Sequence, residues 1–162
     1  MANNGDLRSV ASMLLGLNFC MYVIVVAIAS WATNNAINEG FFIAPGLSFP
    51  PQFSPICYSM GNAATGFLAV FSLIAGLVGV VSVLVGVDHI RHWDFDSLPS
   101  ATSAAVVAWS LTALAMGFAW KEIELQSRNA KLRTAEAFLI ILTVTQLVYI
   151  AVICGASGKT RR

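Results

Sequence analysis

GNAATGFLAVFSLIAGLVGVVSVLVGV, residues 61–87, runs without one Asp, Glu, Lys or Arg. A helix crossing the hydrocarbon core of a bilayer needs roughly 20 apolar residues at about 1.5 Å rise, and this stretch exceeds that length. Three further charge-free stretches of comparable length lie between Arg8 and Glu39, between Asp96 and Lys121, and between Glu136 and Lys159. The pattern predicts an all-α membrane protein, a four-transmembrane-helix bundle. The expected spans are about 9–31, 61–87, 98–120 and 135–154, joined by a first loop over 32–60 in a single membrane domain covering 1–162.

Composition agrees. Apolar residues make up 57% of the chain and charged residues 10%, against roughly 25% charged in soluble domains. Little chain remains for a separate soluble domain, and a net charge of +1 gives no electrostatic footprint for nucleic acid. The first span ends at Trp31, which suits an interfacial aromatic belt. Ala27-Ile28-Ala29 resembles a signal-peptide cleavage pattern, but the apolar stretch before it exceeds the usual 7–15 residues, so an uncleaved span is expected.

From Thr33 to about Cys57 the residues Asn34, Asn35, Asn38, Gly40, Pro45, Gly46, Pro50, Pro51 and Pro55 predict a loop. Phe41, Phe42, Ile43, Leu47, Phe49 and Phe53 alternate with these breakers, which points to a segment lying on the membrane surface or over the bundle mouth. In the second span Ser72/Gly76, Ala75/Gly79 and Ser82/Gly86 are each spaced by four. Small residues at that spacing let helix backbones approach closely in lipid, either within the chain or as a homo-oligomer face. Ser97 is a plausible N-cap for the third span, with Pro99 in its first turn. Lys121, Glu122, Glu124, Arg128, Lys131 and Arg133 follow the third span, and Thr134 reads as the N-cap of the fourth, with Glu136 in its first turn.

Four crossings place both termini on one side. That side carries Arg8, Arg91, Lys159, Arg161 and Arg162, five cations, against four on the other side, Lys121, Arg128, Lys131 and Arg133. The count decides nothing, but no Lys or Arg follows the first helix in its loop, so the termini are expected in the cytoplasm.

No catalytic, cofactor or metal constellation stands out. Cys20, Cys57 and Cys154 read as small apolar fillers. DHIRHWDFD, residues 88–96, is rich in titratable groups yet matches no metal-ligand spacing, and a polar interfacial turn is the simpler reading. At membrane depth the spans carry no carboxylate or cation, which argues against an ion-coupled transporter. The polar residues left at depth are Asn18, Tyr22, Asn62, Thr65, Trp109, Thr143, Thr145 and Gln146. Their default role is interhelical hydrogen bonding; an amphipathic ligand is the alternative. Candidate ligand-binding residues are therefore Asn18, Tyr22, Asn62, Trp109 and Gln146, with Arg91 as the anion contact. Candidate packing residues are Ser72, Gly76, Gly79, Ser82 and Gly86.

Five blocks, NFCMYVIV from Asn18, FSPICYSMGNAATGF from Phe53, HIRHWDFDSLPSA from His89, AWSLTALAMGFAWKEIEL from Ala108 and RNAKLRTAEAFLIILTVTQLVYI from Arg128, resemble the abscisic-acid-induced wheat plasma membrane polypeptide family of plants, the AWPM family. The blocks occur in order across nearly the whole chain. The resemblance implies a four-span plasma-membrane protein induced by abscisic acid, drought, cold or seed maturation. It also implies links to seed dormancy and stress tolerance, with abscisic acid as a candidate ligand taken into the cell. It assigns no ligand residues. A non-transporting structural protein assembled through the second span, or an accessory subunit of another transporter, remains the alternative.

Overall fold

The computed structural model describes residues 4–39, 41–42, 57–58, 63–93, 96–125 and 130–160. Four long helices carry the fold: α1 (Asn4–Glu39), α2 (Ala63–His92), α3 (Leu98–Leu125) and α4 (Ala130–Thr160). Between α1 and α2 a short antiparallel pair, β1 (Phe41–Phe42) and β2 (Cys57–Tyr58), aligns Phe41 with Tyr58 and Phe42 with Cys57. All four helices are long and apolar enough to cross a membrane, and the protein is a multi-pass membrane protein. The breakers between residues 43 and 56, Asn62, Arg128 and the tail cations Arg161 and Arg162 lie outside the described residues.

The helices pack in an antiparallel ring in which α1 touches α2 and α4, and α3 touches α2 and α4. Buried positions recur at alternating steps of three and four. On α1 they are Ala11, Leu15, Asn18, Tyr22, Val25, Ala29 and Ala32; on α3 they are Ala101, Ala105, Ala108, Thr112, Ala115, Ala119 and Glu122. That spacing keeps one stripe of a helix facing its neighbours along the full length, as in supercoiled bundles. The outer faces are equally apolar. Phe67, Val70, Ile74, Leu77, Val81 and Leu84 of α2 all point outward, which suits a helix whose surroundings are lipid rather than water.

The stripe of small residues on α2 lies inside the chain. A Cβ at Gly76 would come within 2.5 Å of Val26, one at Gly79 would fall inside the ring of Tyr22, and one at Gly86 would meet Tyr149 and Leu15. Ser72 and Ser82 are buried with them. This face therefore sets the α1–α2 contact within the chain.

Helix ends differ from expectation in two places. α1 continues to Glu39, through the Asn34, Asn35 and Asn38 expected to break it. Asn costs a helix only about 0.6 kcal/mol relative to Ala, and Ala32 with Trp31 packs on Ala69 and Leu132, so tertiary contact extends the helix. α4 begins at Ala130, so Thr134 is an interior residue whose hydroxyl donates to the Ala130 carbonyl (3.2 Å) rather than a cap. At the α2–α3 turn Ser97 behaves as expected: its carbonyl accepts from Ala101 N at 3.1 Å. α2 ends on Trp93, a non-glycine residue with φ 53°. This left-handed geometry costs about 1–2 kcal/mol. Stacking of Trp93 on His89 (centroids 5.5 Å apart) and its N–H bond to the His89 carbonyl (2.7 Å) hold it there. Cys20 and Cys154 are exposed on the outer surface instead of filling the core.

Gly79→Ala is expected to lower the stability of the solubilised protein by about 1–3 kcal/mol through overpacking against Tyr22. Gly117→Ala, where a Cβ meets nothing within 4 Å, should leave the thermal midpoint unchanged or slightly higher. Thermal unfolding in detergent compares the two.

Candidate functional site

The α1 stripe brings Asn18 and Tyr22 to the centre of the bundle, one turn apart and both fully buried. Tyr22 lies across Gly79 and reaches α3, where its hydroxyl is 3.2 Å from Thr112 Oγ1. The Thr112 hydroxyl donates to the Ala108 carbonyl at 2.7 Å, so Tyr22 is the donor to Thr112. Asn18 turns to α4. Its Nδ2 donates to Gln146 Oε1 at 2.8 Å and its Oδ1 accepts from Thr145 at 2.6 Å. Three of the residues singled out from sequence, Asn18, Tyr22 and Gln146, thus form one polar layer near mid-depth, and each of them ties two helices.

Two donors in this region have no acceptor among the described residues: Gln146 Nε2 and the Tyr149 hydroxyl. They lie three residues apart on the inward stripe of α4, and both side chains are fully buried. Ser82 Oγ, buried on the facing α2, is also without a partner. Leaving a buried donor unpaired costs about 1–3 kcal/mol, so such a group calls for an explanation beyond packing. Chemically, the layer offers neutral hydrogen-bond donors inside an apolar bundle and can pair with carbonyl, carboxyl or hydroxyl oxygens.

The other candidates separate from this layer. Trp109 is half-buried and donates from Nε1 to the Thr143 backbone carbonyl at 3.1 Å, so its polar atom serves the α3–α4 joint. Arg91 is exposed at the end of the bundle that holds both termini, where its carbonyl accepts from Arg8 (3.3 Å). Asn62 lies outside the described residues. Lys121 is turned outward against Glu124 at 2.8 Å. The Asp88–His92 pair is exposed, 3.4 Å apart, but its members lie one turn apart at the end of α2, which runs on into the segment expected to be a turn.

Sequence reasoning missed two carboxyl groups. Glu122 is fully buried and Glu136 nearly so; Thr65 donates to Glu122 Oε1 at 2.8 Å. Glu136 sits on the same inward stripe of α4 as Leu139, Leu142, Gln146 and Tyr149, which corrects the expectation that no carboxylate enters the spans. Lys131, near the start of the same helix, lies over the Trp31 ring at 3.9 Å. The signal was present: the alanines of α3 at steps of three and four continue onto Glu122. His89 was likewise missed; it is buried, with Nδ1 2.7 Å from Ser97 Oγ.

A double-mutant cycle on Asn18→Leu and Gln146→Leu should give a coupling of about 0.5–1.7 kcal/mol. Each single change should cost more stability than the pair predicts, because it strands a buried amide; unfolding in detergent measures the cycle.

Comparison with known proteins adds the lineage. No solved structure matches the chain. The rice protein "Membrane protein PM19L" (Oryza sativa subsp. japonica) is 43% identical over 149 residues, covering 91% of this chain and 79% of the relative. Residues 16–156 match the AWPM-19-like family, a range that takes in the inward stripes of α2, α3 and α4, most of that of α1, the Asn18–Gln146 layer and both buried carboxyl groups. The chain belongs to the AWPM-19-like family.

Proposed function

We propose that this protein facilitates entry of abscisic acid across the plant plasma membrane, through the bundle interior, with both termini in the cytoplasm. The observation that carries the reading is the pair of buried donors without acceptors, Gln146 Nε2 and Tyr149 OH, next to the Asn18 clasp. Abscisic acid is a largely apolar molecule, a ring with keto and hydroxyl oxygens and an unsaturated side chain ending in a carboxyl group. Its oxygens are acceptors for these donors, and its ring is chemically compatible with the packed apolar core that includes Leu15, Val83 and Leu142. The family resemblance supports abscisic acid as the ligand; the interior supports only its chemical class.

A structural role through lateral assembly on the small-residue face of α2 is less favoured, because Gly76, Gly79 and Gly86 are occupied by Val26, Tyr22 and Tyr149. Passage needs the interior to open, and the layer to open is the one held by side-chain hydrogen bonds, each worth about 0.6 kcal/mol in membrane bundles. Motions of that scale are accessible on the microsecond to millisecond range.

Uptake of labelled abscisic acid into proteoliposomes, with and without a pH gradient, tests the reading. Saturable uptake competed by unlabelled ligand is expected. Tyr149→Phe removes a hydroxyl that has no partner, so it should reduce uptake several-fold while leaving the thermal midpoint unchanged or raised. Uptake indistinguishable from empty liposomes overturns the proposal.

A further inference from the structure

A groove of about 370 Å³ opens on the lipid-facing side between α1 and α2, at the end of the bundle that holds the termini. Its walls are apolar, formed by Leu15, Phe19, Leu84, Val87 and Ile90, and Arg91 stands at its rim. Gly16 forms part of the floor, with nothing within 4 Å of where its Cβ would be. One turn beyond Ser12, which also lines the groove, comes Arg8, and its guanidinium donates to the Arg91 carbonyl at 3.3 Å. The Arg8 guanidinium is thereby held at the Arg91 backbone, and the exposed Arg91 side chain stands at the rim of the same apolar slot.

Helix length fixes the depth of this arrangement. From Ser12 to Trp31 is about 30 Å at 1.5 Å per residue, the thickness of a bilayer's hydrocarbon core. With Trp31 at one interface, Arg8 and Arg91 stand at the headgroup level of the other, and the slot below them lies among acyl chains. Exposed arginines at headgroup height suit phosphate, which a guanidinium binds through two parallel N–H donors. Asp88, the exposed acid nearest Arg91 in sequence, is turned to His92.

We propose that this groove is a binding site for one anionic phospholipid, its phosphate held by Arg8 and Arg91 and an acyl chain laid along the slot between α1 and α2. The site is distinct from the interior donors, Gln146 Nε2 and the Tyr149 hydroxyl, which stand on α4. With the termini in the cytoplasm the lipid comes from the inner leaflet, where anionic lipids concentrate. A bound lipid would brace the α1–α2 contact that seats Tyr22 on Gly79.

Native mass spectrometry of the full chain, released from nanodiscs holding equal phosphatidylglycerol and phosphatidylcholine, reads the site directly. One phosphatidylglycerol is expected to be retained at least fivefold over phosphatidylcholine. Arg8→Gln with Arg91→Gln should abolish that preference; both residues are exposed, so folding should survive. Gly16→Phe fills the slot without touching the cations and should reduce retention of either lipid. Equal retention of the two lipids, or a preference untouched by the arginine changes, overturns the proposal. So does displacement of the lipid by micromolar abscisic acid, which would give the groove to a small carboxylic acid, or by glycerol phosphate, which would show that the slot holds no chain.

Discussion

The contact on which the rest of the bundle depends is Tyr22 laid flat across Gly79. In lipid there is little hydrophobic drive to bring helices together, and close packing with interhelical hydrogen bonds takes over that role. Only a residue without a side chain admits the Tyr22 ring between α1 and α2. Once the ring is there, its hydroxyl reaches Thr112 on α3. The same register places Asn18, one turn away, against Gln146 and Thr145 on α4. One glycine thus sets the position of all four helices about the central layer.

The polarity of the bundle is inverted relative to a soluble protein: aliphatic outside, with amide, hydroxyl and carboxyl groups concentrated within. Hydrogen bonds between such groups are worth little on average because the separated helices also find partners. Their effect is on register, since an amide buried opposite an alkyl group is strongly penalised. Asn18 has one position along α4 that satisfies both ends of its amide, and a slip by one turn would lose it. The polar layer therefore defines which bundle forms, while the glycines define how closely it closes.

Much of this was readable in the chain. Charge-free runs fix the number of spans because a bilayer has one thickness, and the α2 glycines announce a close helix contact, although whether it lies within or between chains depends on tertiary geometry. The inward faces were legible in part. Asn18, Tyr22 and Gln146 stand out as polar residues in apolar runs. Glu122 and Glu136 did not, because charge at a span's end reads as solvated unless the helix is known to continue packed. That continuation rests on α1 extending past Trp31, driven by Ala32 on Ala69 and Leu132; three asparagines locally oppose it. Trp109 stands apart from the layer for a different reason: its indole N–H goes to the Thr143 backbone carbonyl, a partner that sequence does not distinguish from a ligand.

The two candidate sites differ in the charge of what they accept. The interior layer presents neutral donors and, at the end away from the termini, two carboxyl groups, Glu122 and Glu136. For the proposed neutral acid, the hydrogen-bonding groups within the bundle are amide and phenol rather than guanidinium. The lateral groove has the opposite character, fixed positive charge above a purely apolar slot. It can hold an anion whose chain stays in lipid but supplies no polar step by which that anion could cross. The proposed passage of a neutral acid through the interior and the proposed anchoring of a charged lipid in the α1–α2 groove follow one physical rule: charge stays at the interface, and neutral hydrogen-bonding groups are better tolerated at depth.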